Sequence, residues 1–162
     1  MEGVAIDCGL AQTNLDYIDG DQHARVVYNN LCGYYTVQRT VPDSLSLPSN
    51  TLAGLRISLL KDGQSVTELP SGASIALYFD IPTNLVDHQF AVMFWDAQQG
   101  KWIELTATVE DGKVVVVVDS SGSVSFPASF VLVDQSAAQT PYQSLVSFFA
   151  DLLEKLAVLF RS

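Results

Sequence analysis

Two histidines, two cysteines and a surplus of carboxylates are the side chains through which this sequence could do chemistry, and their spacing decides what kind. His23 and His88 lie far apart, and neither sits in a Gly-flanked serine elbow or a metal-spaced motif. Asp87 precedes His88 and could orient its imidazole, but the pair follows Pro82, where a solvated loop histidine is the ordinary expectation. Asp80 with Asp87, and Glu110 with Asp111, have no spacing that assigns an acid and a base. The glycines fall at turns and build no phosphate loop. A non-catalytic chain is the expectation.

Metal chemistry has one candidate place. Asp16, Asp19 and Asp21 with Gly20 would offer calcium several carboxylate oxygens on a flexible turn, but the spacing lacks the twelve-residue frame and bidentate Glu of an EF-hand. A solvated turn is the reading the composition favours, and no cofactor is expected. Cys8 and Cys32 are too few for a thiolate zinc site unless His23 and a carboxylate joined them. In an exported chain they would form a disulfide that contributes on the order of 3 kcal/mol through loop closure. Two separately buried thiols are the alternative. The residues after Met1 are neither basic nor a continuous apolar run, so no signal peptide is read; the chain is expected either to be a mature form or to stay inside.

Aromatic chemistry is the remaining option. Trp95, Trp102, Tyr78 and Phe94 would stack on a glycan if they faced outward, whereas core packing is the commoner use of such side chains. Trp102, in phase with Glu104 and Thr106, is the one expected to be exposed.

These residues need a scaffold, and the stretch from Ile75 to Val133 supplies it. Ile75, Leu77, Phe79 and Ile81 alternate with Ala76, Tyr78 and Asp80, as in a strand with one face on a core. Phe90 to Trp95 and Val114 to Val118 are continuous apolar runs, expected to be strands buried on both faces. Ile103, Leu105, Ala107 and Val109 alternate between them, and Asp111-Gly112 suits a type I′ hairpin turn. Gly100 and Gly122 mark further turns. Upstream, Leu55, Ile57 and Leu59 lead through Asp62-Gly63 to Val66, which predicts a sandwich of seven to nine strands, a meander or a Greek key.

The domain reading divides the chain in three. Residues 1–43 hold short β segments read as part of the sandwich, 44–134 form its core, and 135–162 are a linker and a helix. The proline-punctuated stretch Pro42 to Asn50 is either a boundary or a loop. Thr140-Pro141 starts the helix, and Leu145, Phe148, Phe149, Leu152, Leu156 and Phe160 give it a wide apolar face. Asp151, Glu154 and Lys155 argue against a membrane span, so the helix is expected to lie on its own core, a partner or a membrane interface.

Charge narrows the partners. Eight Lys and Arg against 18 Asp and Glu give a formal charge of -10, which repels phosphate backbones and excludes nucleic acid as an expected ligand.

Leu69-Pro70-Ser71-Gly72, Leu77 to Pro82, Phe94-Trp95-Asp96 with Gly100-Lys101-Trp102, Asp111-Gly112-Lys113 and Phe130 to Val133 carry a resemblance. Together they resemble the β-sandwich modules of bacterial surface and secreted proteins, which are similar in turn to the autoproteolytic sandwich domains of ankyrins and netrin receptors. The resemblance spans about residues 45 to 134 and implies an extracellular or cell-surface adhesion or structural role. Self-cleaving members carry His-Phe-Ser or His-Phe-Thr near the last strand; Ser125-Phe126-Pro127 here lacks both the histidine and the nucleophile. The expectation is therefore a mainly β chain, an antiparallel sandwich with one C-terminal amphipathic α-helix, acting as a non-catalytic module. Self-assembly through strand edges and the helix is the leading mechanism. The alternatives are a glycan- or surface-binding module using exposed aromatics, and a domain anchored at a membrane surface.

Overall fold

The computed structural model describes residues 3–136, which form two antiparallel sheets facing one another across a shared core. The strands are β1 (Val4–Ala5), β2 (Gln12–Asp19), β3 (Gln22–Asn29), β4 (Tyr34–Arg39), β5 (Thr51–Lys61) and β6 (Gln64–Val66). They continue as β7 (Ser74–Asp80), β8 (Phe90–Asp96), β9 (Lys101–Leu105), β10 (Ala107–Glu110), β11 (Lys113–Asp119) and β12 (Ala128–Asp134). The larger sheet runs β1-β4-β5-β12-β8-β9 with β6 paired to β5, and the smaller runs β10-β11-β7-β3-β2. The expected helix, with its face Leu145, Phe148, Phe149, Leu152, Leu156 and Phe160, lies outside the described residues.

Alternation builds the core from both sides. Leu55, Ile57 and Leu59 of β5, Val92 and Phe94 of β8, and Phe130 and Leu132 of β12 point inward from the larger sheet. Val26 and Tyr28 of β3, Ile75, Leu77 and Phe79 of β7, and Val114, Val116 and Val118 of β11 meet them from the smaller. Fully burying a side chain of this size contributes about 1.5–3 kcal/mol, so this one layer holds the two sheets together.

Turn chemistry sets the registers. Asp62 and Gly63 have φ of 51° and 77°, and Asp111 and Gly112 have 49° and 74°, as a type I′ turn requires at both central positions. Each closes a tight hairpin, β5–β6 and β10–β11.

Several features differ from the sequence reading. Among the described residues there are twelve strands, and residues 4 to 39 contribute two of them to each sheet. The alternation from Ile103 to Val109 is two strands: the chain leaves the larger sheet after Leu105 and enters the smaller at Ala107 while keeping both side chains toward the core. The valine run of β11 is not buried on both faces throughout, since Val117 is 59% exposed on the outer side. Chain order does not follow spatial order either, as β12 inserts between β5 and β8. That excludes a simple meander.

Pro42 to Asn50 belongs to neither sheet and packs against the outer side of the larger one. Gly54 of β5 marks the crossing: a Cβ there would stand 2.9 Å from a Val41 methyl and 3.2 Å from a Val131 methyl. Only glycine lets the connector lie this close to the sheet.

Candidate functional site

Where the connector crosses the larger sheet, outward positions line up across five strands. Arg39 of β4 is the register partner of Arg56 of β5, which is the partner of Ser129 of β12. Trp95 of β8 follows in phase and pairs with Trp102 of β9. Strand alternation dictates this row: Gln38, Ile57 and Phe130 beside it point inward, so their neighbours must point out.

The two tryptophan rings meet edge to face, with centroids 5.5 Å apart and planes at 65°. Trp102 is half-buried, and its indole N–H donates to the Ser46 carbonyl at 2.8 Å, which pins the connector to the sheet edge. Leu45 of the pinned connector then walls a hollow of about 330 Å³. Its other lining residues include Arg56, Trp95, the Asp96–Gln99 turn and Ser125. An indole wall with a guanidinium, amides and hydroxyls converging on it suits a polar ligand with one apolar face.

The Asp96 turn is preorganised. Its Oδ1 accepts the backbone N–H groups of Gln98 at 2.8 Å and Gln99 at 3.1 Å, and Oδ2 accepts the Gln99 side-chain amide at 2.7 Å. Burial pushes this carboxyl up, but the three donors outweigh it and hold it below the ordinary aspartate value. Arg56 reaches the Ser129 hydroxyl at 3.4 Å. Among the described residues neither Arg39 nor Arg56 has a carboxylate within ion-pair distance; the ion pairs are Arg25–Asp16, His88–Asp134 and Lys113–Asp80.

The other sequence candidates scatter. Phe94 is core, 3% exposed, and Tyr78 lies on the outer face of the smaller sheet, so of the four aromatics only Trp95 and Trp102 come together. Asp16 is bonded at 2.8 Å to Arg25, its cross-strand partner, and that hydrogen bond holds its carboxyl below the usual range. Asp19 and Asp21 flank Gly20 in the β2–β3 turn, and no group of three or more His, Cys, Asp or Glu among the described residues is placed to hold a metal. Cys8 and Cys32 form a disulfide between the β1–β2 and β3–β4 connections. His23 is exposed at the start of β3.

His88 is not oriented by Asp87. Its Nδ1 lies 2.7 Å from Oδ2 of Asp134, a carboxylate buried at the end of β12, while Asp87 is exposed. This pair spans 46 residues of sequence, and local spacing carried no sign of it. Asp80 pairs with Lys113, its cross-strand partner, and Glu110 accepts from Thr108. Ser125 borders the hollow beside Pro127.

Arg39, Arg56 and the Asp96 turn did not emerge from the sequence as site residues. Alternation with Leu55 and Ile57 does place Arg56 outward. What brings it beside Arg39 is a register fixed across the whole connector, which spacing alone leaves open. Comparison of the chain with protein-family models, with curated proteins and with solved structures finds no match.

Proposed function

We propose that the chain is a non-catalytic glycan-binding module that works outside the cell, with the hollow beside Trp95 as its binding site. The observation that carries this reading is the convergence of a half-buried indole, a guanidinium, a preorganised carboxylate turn and serine hydroxyls on one cavity. Sugars present that combination of needs: a C–H face that stacks on an aromatic ring and a rim of hydroxyls that donate and accept hydrogen bonds. The Cys8–Cys32 disulfide supports an oxidising compartment.

The test is a glycan-array screen followed by titration calorimetry of the best binder. Trp95→Ala is expected to weaken binding at least tenfold. Val117→Ala, on the outer face of the opposite sheet, is expected to leave it unchanged. Equal binding by the wild type and Trp95→Ala would sink the reading.

Self-assembly through strand edges is the second reading, and its best surface is β2. That strand is an eight-residue edge with Ile18 63% exposed. Asp16 and Asp19 set negative charge along it, a device that discourages edge-to-edge pairing, so this reading ranks below the first.

A further inference from the structure

Arg39 and Arg56 stand opposite each other on neighbouring strands, and like charges so placed repel. The chain has only eight Lys and Arg to set against 18 acidic residues, yet two of the eight share this spot without a carboxylate partner among the described residues. Of the four other Lys and Arg among the described residues, two are paired directly across strands, Arg25 with Asp16 and Lys113 with Asp80, and the other two, Lys61 and Lys101, stand apart from each other. Arg56 lines the hollow and Arg39 is its partner on the next strand, so the arginine end of the hollow is complementary to an anion.

We infer that the hollow takes an acidic saccharide, a sugar bearing a carboxylate, with Arg56 holding the acid group from the cavity wall, Arg39 adding positive charge from the next strand, and Trp95 stacking the ring. This rests on the glycan-binding reading and adds the charge of the ligand to it. The hollow is polarised for such a molecule. Arg56 lies two strands from Trp95 and Asp96, with β12 between, roughly 10 Å at the usual interstrand spacing. Asp96 is the carboxylate lining the cavity, and it sits at the far end with its oxygens occupied by turn amides. An acid group is therefore drawn to the arginine end and turned away from the Asp96 end, which fixes the direction of the sugar ring. Gln98, Gln99, Ser123 and Ser125 are left to meet the hydroxyls.

The test compares, by titration calorimetry on the full chain, a glucuronic-acid-containing disaccharide with the same disaccharide carrying glucose instead. The acidic ligand is expected to bind at least tenfold more tightly, with an advantage that shrinks as salt is raised. Arg39→Gln, at an exposed position outside the cavity lining, is expected to remove part of that advantage while the neutral ligand binds as before, and Arg39→Gln with Arg56→Gln is expected to remove all of it, bringing the two disaccharides to equal affinity. Equal affinity of the wild type for both disaccharides would overturn the inference and leave the glycan reading standing. Binding of neither would overturn both. Inorganic sulfate binding as tightly as the acidic disaccharide, and unaffected by Trp95→Ala, would make the arginines a plain anion site and would also overturn it.

Discussion

The phenol oxygen of Tyr28 lies 2.8 Å from the hydroxyl of Thr36, and this buried contact joins the two sheets. Tyr28 projects from β3 of the smaller sheet and Thr36 from β4 of the larger, and Gln38 donates to the same phenol at 3.0 Å. Tyr28→Phe keeps the ring and leaves the buried Thr36 hydroxyl without that partner. We expect a loss of about 1–3 kcal/mol in urea unfolding, with an unchanged m-value. No loss would mean that the polar bridge contributes nothing beyond its packing.

Alkaline and acid stability depend on different groups. Burial pushes the Tyr28 phenol up, more than its hydrogen bonds with Thr36 and Gln38 bring it down, and burial pushes up Tyr17 as well. The folded state therefore favours the neutral phenols. Their contribution is complete below the unfolded-state value of about 10 and is lost as pH rises through the higher folded values. Tyr28→Phe is expected to flatten the fall in melting temperature above that pH.

On the acid side the carboxylates act in the opposite sense. Asp16 is held low by Arg25, and Asp119 by the hydroxyl and backbone N–H of Ser121. Asp96 is also lowered, by its turn amides, against the effect of burial. Their contribution is present above the ordinary aspartate range and is lost as pH falls through the depressed folded values. Asp16→Asn should reduce the slope of stability against pH below about 4. An unchanged slope would show that the exposed Arg25 pair is screened out.

Reducing the Cys8–Cys32 disulfide, or replacing both residues with serine, is expected to cost roughly 3 kcal/mol in equilibrium unfolding, since the bridge closes a loop with a sequence separation of 24. A loss under about 1 kcal/mol would mean that the unfolded chain is already constrained in this region.

The connector over the larger sheet can be tested at its closest point. Gly54→Ala drives a methyl toward Val41 and Val131 and should destabilise by about 1–3 kcal/mol. Adding Val41→Ala should recover part of that loss. Trp102→Phe keeps an aromatic ring, smaller than the indole, but removes the donor to Ser46, at about 1 kcal/mol, and should weaken ligand binding without removing the Trp95 wall. Independent effects of Gly54→Ala and Val41→Ala in a double-mutant cycle would contradict this packing.

Local signals in the sequence were enough for the strands themselves. The alternation of Ile75, Leu77 and Phe79 gave the inward face of β7, and Asp62-Gly63 and Asp111-Gly112 gave two hairpins, because period and turn chemistry act over a few residues. Long-range order was not legible. Nothing near Thr106 shows that the chain changes sheets there, since the alternation continues unbroken through the corner. The site suffered most: Trp102 was read as in phase with outward residues, but its bond to Ser46 spans 56 residues, and the Arg39–Arg56 neighbourhood depends on register across the connector.

The place of β12 bears on how the chain comes off the ribosome. The strand at the middle of the larger sheet is the last of the twelve to be synthesised, so β5 and β8 wait with unpaired inner edges until residues 128–134 have emerged. Nascent chains that stop short of β12 therefore present two sticky ladders, and they are the forms a holdase chaperone has reason to bind.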